Sequence, residues 1–581
     1  MSDIIKILPS DVSNKIAAGE VVQRPSSVLK ELIENSIDAN STKIQIIIKD
    51  AGKNLIQVID NGKGMSKNDM HLSFIKHATS KISKIEDIFS ISSMGFRGEA
   101  LAAISSVSML EMESINDNQN GHFIEINGGE LLREKDSNIQ EGTSIKIKNI
   151  FYNVPARRNF LKSDFVELRH ILDVFHRLAI SHPEIEFSFI NNEEEIFYLK
   201  EESLNKRIIS IFGEKIRENL IPIHESTQIA NISGFVLKPE FSKKSRSNQF
   251  IFVNNRFIKS QFINHSISAS YDGLLKDGYY PGYFLFIDID PTKIDVNVHP
   301  NKTEIKFDDD QNLYSIINSS VKHCLGIYQV SPVLDFDKDP SMDISYDQVK
   351  SQPTSPNIQI NSDFNPFKVF NDDEVNKISD DHLTSINKLN LEIDSNQALK
   401  IFQILNKFIV STNKSSLIII NQNLAHQRIL YESFLKSIFE NSVNSQKLVF
   451  PIELSLTKKQ LLLYNKIIDE FKSIGFEIIV KNELMLIESI PFGIEKNNVE
   501  EVIENILNED FNTSNDFSAS DFFAKRLSKI TSIKSGQKLN SDEQEYIVNH
   551  LFSCKEPNLS PDNKQIFITL NKNDIENKFN G

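Results

Sequence analysis

Glu31, Asn35 and Asp38 fall at i, i+4 and i+7 of the segment Pro25–Asp38, whose Val28, Leu29, Leu32, Ile33 and Ile37 take the other side. Beside a triphosphate this polar face has a use. Asn35 offers a neutral amide oxygen to an octahedral Mg²⁺ whose other ligands are phosphate oxygens and water. Glu31, one turn away, can accept a proton from an attacking water. An isolated Glu/Asn pair reads more plainly as a solvated face, so the neighbouring segments have to decide.

Pro25 is a favoured first helical residue, so the helix that carries the pair should start there. Lys43–Lys49 and 54–59 read as a hairpin around Ala51-Gly52-Lys53. It runs into Asp60-Asn61-Gly62-Lys63-Gly64-Met65. A carboxylate at a strand end can accept from the exocyclic amine of adenine, and Gly62 and Gly64 let backbone approach a base; a plain turn explains the same letters. His77-Ala78-Thr79-Ser80-Lys81 and Gly95-Phe96-Arg97-Gly98-Glu99-Ala100-Leu101 bracket a stretch with few core signals. The second can present successive N–H groups at a helix start, where phosphate is favoured, and reads as a lid, or else as a Gly-bounded turn before a core helix. Gly142-Thr143-Ser144 opens a further strand that could close the pocket from below. The Gly-x-x-x-x-Gly-Lys-Ser/Thr loop is absent, and Gly62-Lys63-Gly64 lacks the third glycine of a dinucleotide fingerprint.

The chain has 581 residues, with 64 Lys and Arg against 79 Asp and Glu for a net charge of −15. That length predicts three or four domains. No apolar run approaches the ~18 residues of a membrane span, the first residues lack signal-peptide character, and Cys324 and Cys554 are too few for a disulfide framework or a Cys-rich zinc module. A soluble, intracellular protein without membrane contact is expected. Residues 331–388 are rich in Ser, Pro, Asp and Asn with no sustained period and read as a disordered acidic linker. Residues 1–330 hold 38 Lys and Arg and 43 Asp and Glu, which leaves 26 and 36 for the rest, so nucleic-acid contact would need a local patch. A weaker boundary near 220–228 precedes strand-like runs at 230–237, 249–253 and 283–289 and a helical stretch at 261–275. Beyond the linker, 401–410 and 417–420 read as one hairpin and 425–439 as a helix. The reading is an α+β multidomain chain divided 1–222, 223–330, 331–388 and 389–581.

In order and spacing these pieces resemble the GHKL ATPases, and the wording Ile16–Pro25, Lys30–Ala39, Gly95–Leu101 and Phe151-Tyr152-Asn153-Val154-Pro155-Ala156-Arg157-Arg158 is closest to the MutL family. The match is dense over residues 1–330 and loose beyond. The resemblance implies a GHKL (Bergerat) ATPase sandwich, a transducer domain like a ribosomal small-subunit protein, a flexible linker and a C-terminal dimerisation domain. It implies ATP and Mg²⁺ as cofactors, with Glu31 as general base, Asn35 as Mg²⁺ ligand and Asp60 as adenine reader. Thr79, Ser80, Lys81, Gly95, Phe96, Arg97 and Gly98 would be lid and phosphate contacts. Ala39, Gly62, Gly64, Met65, Leu101 and Thr143 complete the nucleotide set. Asp295–Lys302 resembles the transducer motif whose lysine reaches the γ-phosphate, here Lys302; a surface lysine after a Pro-ended strand is the plainer reading of it alone. Hydrolysis should be slow, since no arginine finger is evident.

Candidate DNA contacts are Arg157, Arg158 and Lys162, then Lys238, Lys243, Lys244 and Arg246, then Arg256 and Lys259. The resemblance places Arg256, in Val253-Asn254-Asn255-Arg256, in a DNA groove. With no Trp and no aromatic-interleaved basic stripe, backbone binding without sequence preference is expected. Gln446-Lys447-Leu448-Val449-Phe450-Pro451 resembles the family's element for the replication sliding clamp, with Gln446, Leu448, Val449, Phe450 and Pro451 as its contacts; a buried strand before Pro451 also explains it. Many members nick DNA at a C-terminal metal site built on Asp-Gln-His-Ala-x-x-Glu-Arg. Here Asn421, Asn423 and Gln427 replace the Asp, His and Glu, and the Cys-Pro-His pattern is broken around Cys554. Hard-cation and two-metal chemistry need those charges. The expectation is an ATP-gated homodimeric clamp, cytoplasmic and on the nucleoid when bound to DNA, that couples the MutS–mismatch complex to a separate nicking enzyme or helicase. An endonuclease with a rebuilt site using Glu432 and His426, or a chaperone- or topoisomerase-type ATPase, are the alternatives.

Overall fold

The computed structural model describes residues 18–81, 94–295, 305–327 and 401–571, apart from 20, 96–97, 117–119, 277, 414–415, 441–444, 482–483, 492–493, 495, 497–498 and 509–518. Lys302, Phe96, Arg97 and the expected linker lie outside the described residues.

The chain first builds α1 (Pro25–Asp38), β1 (Lys43–Lys49) and β2 (Leu55–Asp60). Pro25 sits at the helix start as expected, and Val28, Leu29, Leu32 and Ile33 are fully buried. After α2 (Lys67–Leu72) and α3 (Ala100–Ser106) come β3 (Met109–Ser114), β4 (Gly121–Asn127), β5 (Glu130–Ser137) and β6 (Thr143–Lys148). A short α4 (Pro155–Asn159) leads to α5 (Asp164–Ser181), β7 (Glu186–Asn191), β8 (Glu194–Leu199) and α6 (Leu204–Phe212). The eight strands form one sheet in the order β5-β4-β3-β6-β2-β1-β7-β8, with only β1–β7 parallel among these pairs.

Strand alternation decides where the site lies. In β2 the inward positions are Ile56, Val58 and Asp60, so the last core-facing residue of an apolar face is a carboxylate. Asp60 pairs with Thr143 of β6, and Thr143 with Ser114 of β3, which lines three polar residues across the end of the sheet. α1 packs on β2 and α5, bringing its polar face over that end.

A second, five-stranded sheet follows, built from β9 (Leu220–Ser226), β10 (Asn231–Leu237), β11 (Gln249–Val253), β12 (Arg256–Phe257) and, after α7 (Gln261–Ser270), β13 (Tyr283–Asp288). All of β9 belongs to it, so the new sheet begins at Leu220, within the 220–228 boundary region read from the change of pattern. The helix from Gln261 ends at Ser270 rather than 275. α8 (Asp310–Ile327) packs on α7 and β9 over a core of Ile223, Ile232, Leu285 and Ile317.

The C-terminal residues form a sheet of β14 (Ile401–Ile404), β15 (Phe408–Asn413), β16 (Ser416–Asn421) and the last strand, Phe567–Asn571. The expected 401–410 strand is thus two strands, because Leu405 and Asn406 take positive φ values of 54° and 49° in a tight turn. α9 (Gln422–Glu440) follows, then β17 (Ser445–Ser455), α10 (Lys458–Lys466), Ile468–Ile474, β18 (Glu477–Lys481) and β19 (Leu484–Pro491), which join in a three-stranded sheet β17-β19-β18. Helices α11 (Val499–Asn508), α12 (Ala519–Thr531) and α13 (Ser541–Ser553) complete it. Among the described residues no helix is long and apolar enough to cross a membrane.

Candidate functional site

A cavity of about 1240 Å³ opens where α1, the ends of β2 and β6, and the 77–81 and 94–101 segments meet. It exceeds the roughly 300–1,000 Å³ of ordinary ligand sites. Glu31, Asn35, Ala39, Asp60, Gly64, Met65, Thr79, Ser80, Lys81, Gly95, Gly98, Leu101 and Thr143 all line it.

Asp60 lies at the sheet end of the cavity, 8% exposed. Its Oδ1 accepts from Gly62 N at 2.9 Å and its Oδ2 from Ser36 Oγ at 2.8 Å, which fix the carboxylate plane. Burial pushes its pKa above the ordinary Asp value, against the Gly62 and Ser36 hydrogen bonds that lower it. Ser114 Oγ and Thr143 Oγ1 are 2.8 Å apart, and Ser114 Oγ accepts from Met65 N at 2.9 Å, tying the 61–65 turn to the sheet. Gly64 has φ +60°, and a Cβ there would stand 1.8 Å from the Ile115 carbonyl oxygen, so no other residue fits.

At the polar end, Lys81 Nζ donates to Asn35 Oδ1 at 3.0 Å and to Asp38 Oδ2 at 2.5 Å. Asp38 also accepts from Met94 N at 2.9 Å and Gly95 N at 3.1 Å, clasping both lid segments to α1. A second clasp joins the segments to each other: His77 N donates to Gly98 O at 3.0 Å, and Gly98, at φ +62°, brings its Cα so close that a Cβ would meet Ala78 O at 2.3 Å. The oxygens of Asn35 and Asp38 converge on one cation, here the Lys81 ammonium, and a Cβ on Gly95 would crowd it at 3.1 Å. That donor set fits a hydrated divalent cation beside a phosphate. Glu31 lines the cavity, and among the described residues no hydrogen bond or ion pair engages its carboxylate.

Several functional neighbours carried no sequence signal. His170, Asp173, Val174 and Arg177 of α5 form the far wall of the cavity, in a segment that reads as an ordinary amphipathic helix. Ser36, which orients Asp60, reads as a small helical residue. Asp38 was legible by spacing but not its role as a clasp.

Of the expected DNA contacts, Arg158 and Lys259 are exposed. Arg157 lies over Gly19, where a Cβ would come 1.9 Å from its Nη2. Lys162 sits at the start of α5, its N–H donating to Glu167 Oε1 at 3.0 Å. Arg256 is only 9% exposed and lines the same cavity, a different setting from an open groove. Burial lowers its pKa against the fields of Glu34 and Asp38, which raise it. The Asn254–Asn255 turn, with φ values of 47° and 63°, delivers it there.

In the C-terminal part, β17 pairs with β19 at Lys447–Ser489 and again at Ile452–Ile487, so Leu448–Pro451 bulges out of the ladder. Val449 is 88% exposed and Phe450 72%, so this is no buried strand. Asn423 Nδ2 donates to Ile533 O at 2.6 Å, Gln427 Nε2 donates to Asn423 Oδ1 at 2.9 Å, and His426 Nδ1 accepts from Ile533 N at 3.1 Å. Glu432 accepts from Lys555 N at 2.9 Å, and burial and Glu432 push the Cys554 thiol up to about 11.

Three family models match this chain: the histidine kinase-, DNA gyrase B- and HSP90-like ATPase over residues 23–154, the DNA mismatch repair protein C-terminal domain over 208–326, and the MutL C-terminal dimerisation domain over 401–539. The DNA mismatch repair protein MutL of Christiangramia forsetii is 45% identical, and that of Flavobacterium johnsoniae 41%, each covering 100% of both chains. The Aquifex aeolicus MutL ATPase domain complexed with ADP is 26% identical over 47% of this chain and 94% of that one, with a TM-score of 0.36.

Proposed function

The chain belongs to the MutL family of DNA mismatch repair proteins, and from that premise we propose an ATP-gated dimeric clamp that couples mismatch recognition to downstream nicking. It is an α+β protein with a GHKL-type ATPase domain and a MutL dimerisation domain, so a mismatch-repair ATPase that self-associates through its C-terminal part follows directly. The observation that carries the finer reading is the cavity, with an acceptor for an amine at one end and a cation corner at the other.

Asp60 takes the amine of adenine, while Gly62 N and Ser36 hold its carboxylate in place. Glu31, which lines the cavity, accepts the proton of the attacking water. Asn35 would hold Mg²⁺, which when bound screens the charge of the phosphates. Lys81 must leave Asn35 and Asp38 for a phosphate as nucleotide arrives. Because Asp38 clasps Met94 and Gly95, that departure loosens the lid's anchor and lets it re-form over the phosphates. Lys302, from the second domain, reads the γ-phosphate.

DNA is held by its backbone, through Arg157, Arg158, Lys162 and Lys259. Arg256 serves the contact between its domain and α1 rather than an open groove, and the bulged Leu448–Pro451 segment docks a sliding clamp as an extended segment. The C-terminal amides favour a chain without its own nuclease: Gln427 donates to Asn423 and Asn423 to a backbone carbonyl, where a metal site would need carboxylates. The test of the coupling is ATP-dependent association with MutS on mismatched and on matched DNA. Mismatch-provoked association supports it, and equal association with both duplexes removes it.

A further inference from the structure

Lys243, Lys244 and Arg246 form a basic surface that the fold equips with rings. The bridge between Lys243 and Tyr280 brings Tyr279 and Tyr280 alongside, with Lys244 Nζ 5.7 Å from the Tyr279 centroid and the Arg246 guanidinium 4.5 Å from that of Tyr280. The sequence shows no such mixture, since the rings lie over 30 positions away. Clustered cations are the chemistry that takes a nucleic-acid backbone, and the ring faces hold Lys244 and Arg246 in place by cation–π contact.

Two carboxylates already cover this surface. Lys243 Nζ lies 2.7 Å from Glu504 and Lys244 Nζ 2.6 Å from Glu501, residues one turn apart on α11 of the C-terminal domain. The cover is fastened elsewhere. Lys459 of α10 pairs with Asp173 of α5, the two side chains 17% and 20% exposed. Phe165 and Val166 of α5 are buried in the C-terminal core, with Phe165 5.9 Å from Phe522. Burial alone would raise the Asp173 carboxyl, but Lys459, Arg169 and Arg177 together hold it below the usual range, so the pair is ionic.

We propose that the Lys243–Lys244–Arg246 surface is a DNA-backbone contact that the C-terminal domain of the same chain covers, so that Glu501 and Glu504 exclude DNA phosphates from it. The cover stands on α5, whose Asp173 and Arg177 also wall the nucleotide cavity, so the contact and the nucleotide share a helix. The exclusion rests on the reading above that the chain binds DNA.

The test uses the full-length protein and a 50-base-pair matched duplex without nucleotide, with affinity measured from about 50 to 200 mM salt. Glu501→Gln/Glu504→Gln frees both lysines without adding a cation. It should bind roughly three- to tenfold tighter, with a salt slope steeper by about 2. A matched loss of acid outside the contact, Glu130→Gln/Asp136→Asn on the exposed edge strand, should leave affinity and slope unchanged. Lys459→Glu sets like charges together, and should enlarge the radius of gyration by small-angle scattering while leaving the melting of the ATPase domain in place. If wild type binds DNA but both acid-removal variants match it, or both improve equally, the cover is wrong. If neither wild type nor Glu501→Gln/Glu504→Gln binds DNA, the DNA reading fails with it. If Lys459→Glu scatters as wild type does, the fastening is overturned.

Discussion

Asp60→Asn is the sharpest probe of the nucleotide reading, because shape is kept and only the acceptor changes. Asn Oδ1 can still accept from Gly62 N, now 2.9 Å from a carboxylate oxygen, but the amide nitrogen then turns toward the Ser36 hydroxyl and the ligand. The lost charge-assisted hydrogen bond is worth about 1.5–3 kcal/mol, which weakens ATP binding by roughly 10- to 150-fold. The new donor faces the guanine carbonyl well, so the preference for ATP over GTP should collapse as well. pH adds a second signature. Burial raises the folded pKa of Asp60 above its unfolded value, so the folded state takes up its proton first as pH falls. This group therefore opposes folding at neutral pH, and the opposition is relieved as pH drops through the raised value toward the ordinary one. ATP affinity of the wild type should fall over that same window, while the Asn variant stays flat there and melts no earlier at pH 7. Calorimetric titration of ATP and GTP between pH 4.5 and 8, with melting curves alongside, reads all of this. Unchanged ATP affinity and base preference in Asp60→Asn would refute the assignment.

Three further expectations follow from single contacts. Gly98→Ala forces a side chain into φ +62° against Ala78 O at 2.3 Å, a strain of about 1–3 kcal/mol, so it should weaken ATP binding about tenfold while the melting temperature of the C-terminal domain stays fixed; a variant that binds ATP normally removes the lid clasp. Phe450→Ala, on a ring 72% exposed, should cut sliding-clamp binding at least about tenfold with no change in melting, as surface plasmon resonance would show. Purified protein with Mn²⁺ and ATP should not nick supercoiled plasmid above background, whereas nicking that His426→Ala or Glu432→Ala abolishes would establish a rebuilt metal site.

Where residues close in sequence make the structure, the sequence was readable. Helix Pro25–Asp38 and strand Lys43–Lys49 emerge from spacing alone, because Ile44, Ile46 and Ile48 alternate and the apolar stripe of α1 has a helical period. The position of Asp60 was legible for the same reason, as a carboxylate closing an apolar strand. The far wall of the cavity was not, since Asp173 and Arg177 look like the solvated face of any helix until α1 is packed against it. Nor could the Lys459–Asp173 pair be read, its partners being 286 positions apart. The turn at Leu405–Asn406 carries a single weak signal, Asn406, because its partner Leu405 is a poor residue for a left-handed φ. Arg256 shows a different gap: its motif was plain, but its burial depends on how β12 packs on α5.

The central claim is that ATP closes the two subunits into a ring, and Glu31→Ala, which should bind ATP but lose about 10²- to 10⁴-fold in turnover, isolates that step. The direct measurement is retention of this variant on plasmid through a high-salt wash. The account predicts retention only with ATP and only on circular DNA, with release when the plasmid is cut once. Equal retention on circular and linear plasmid, or retention without ATP, would contradict it.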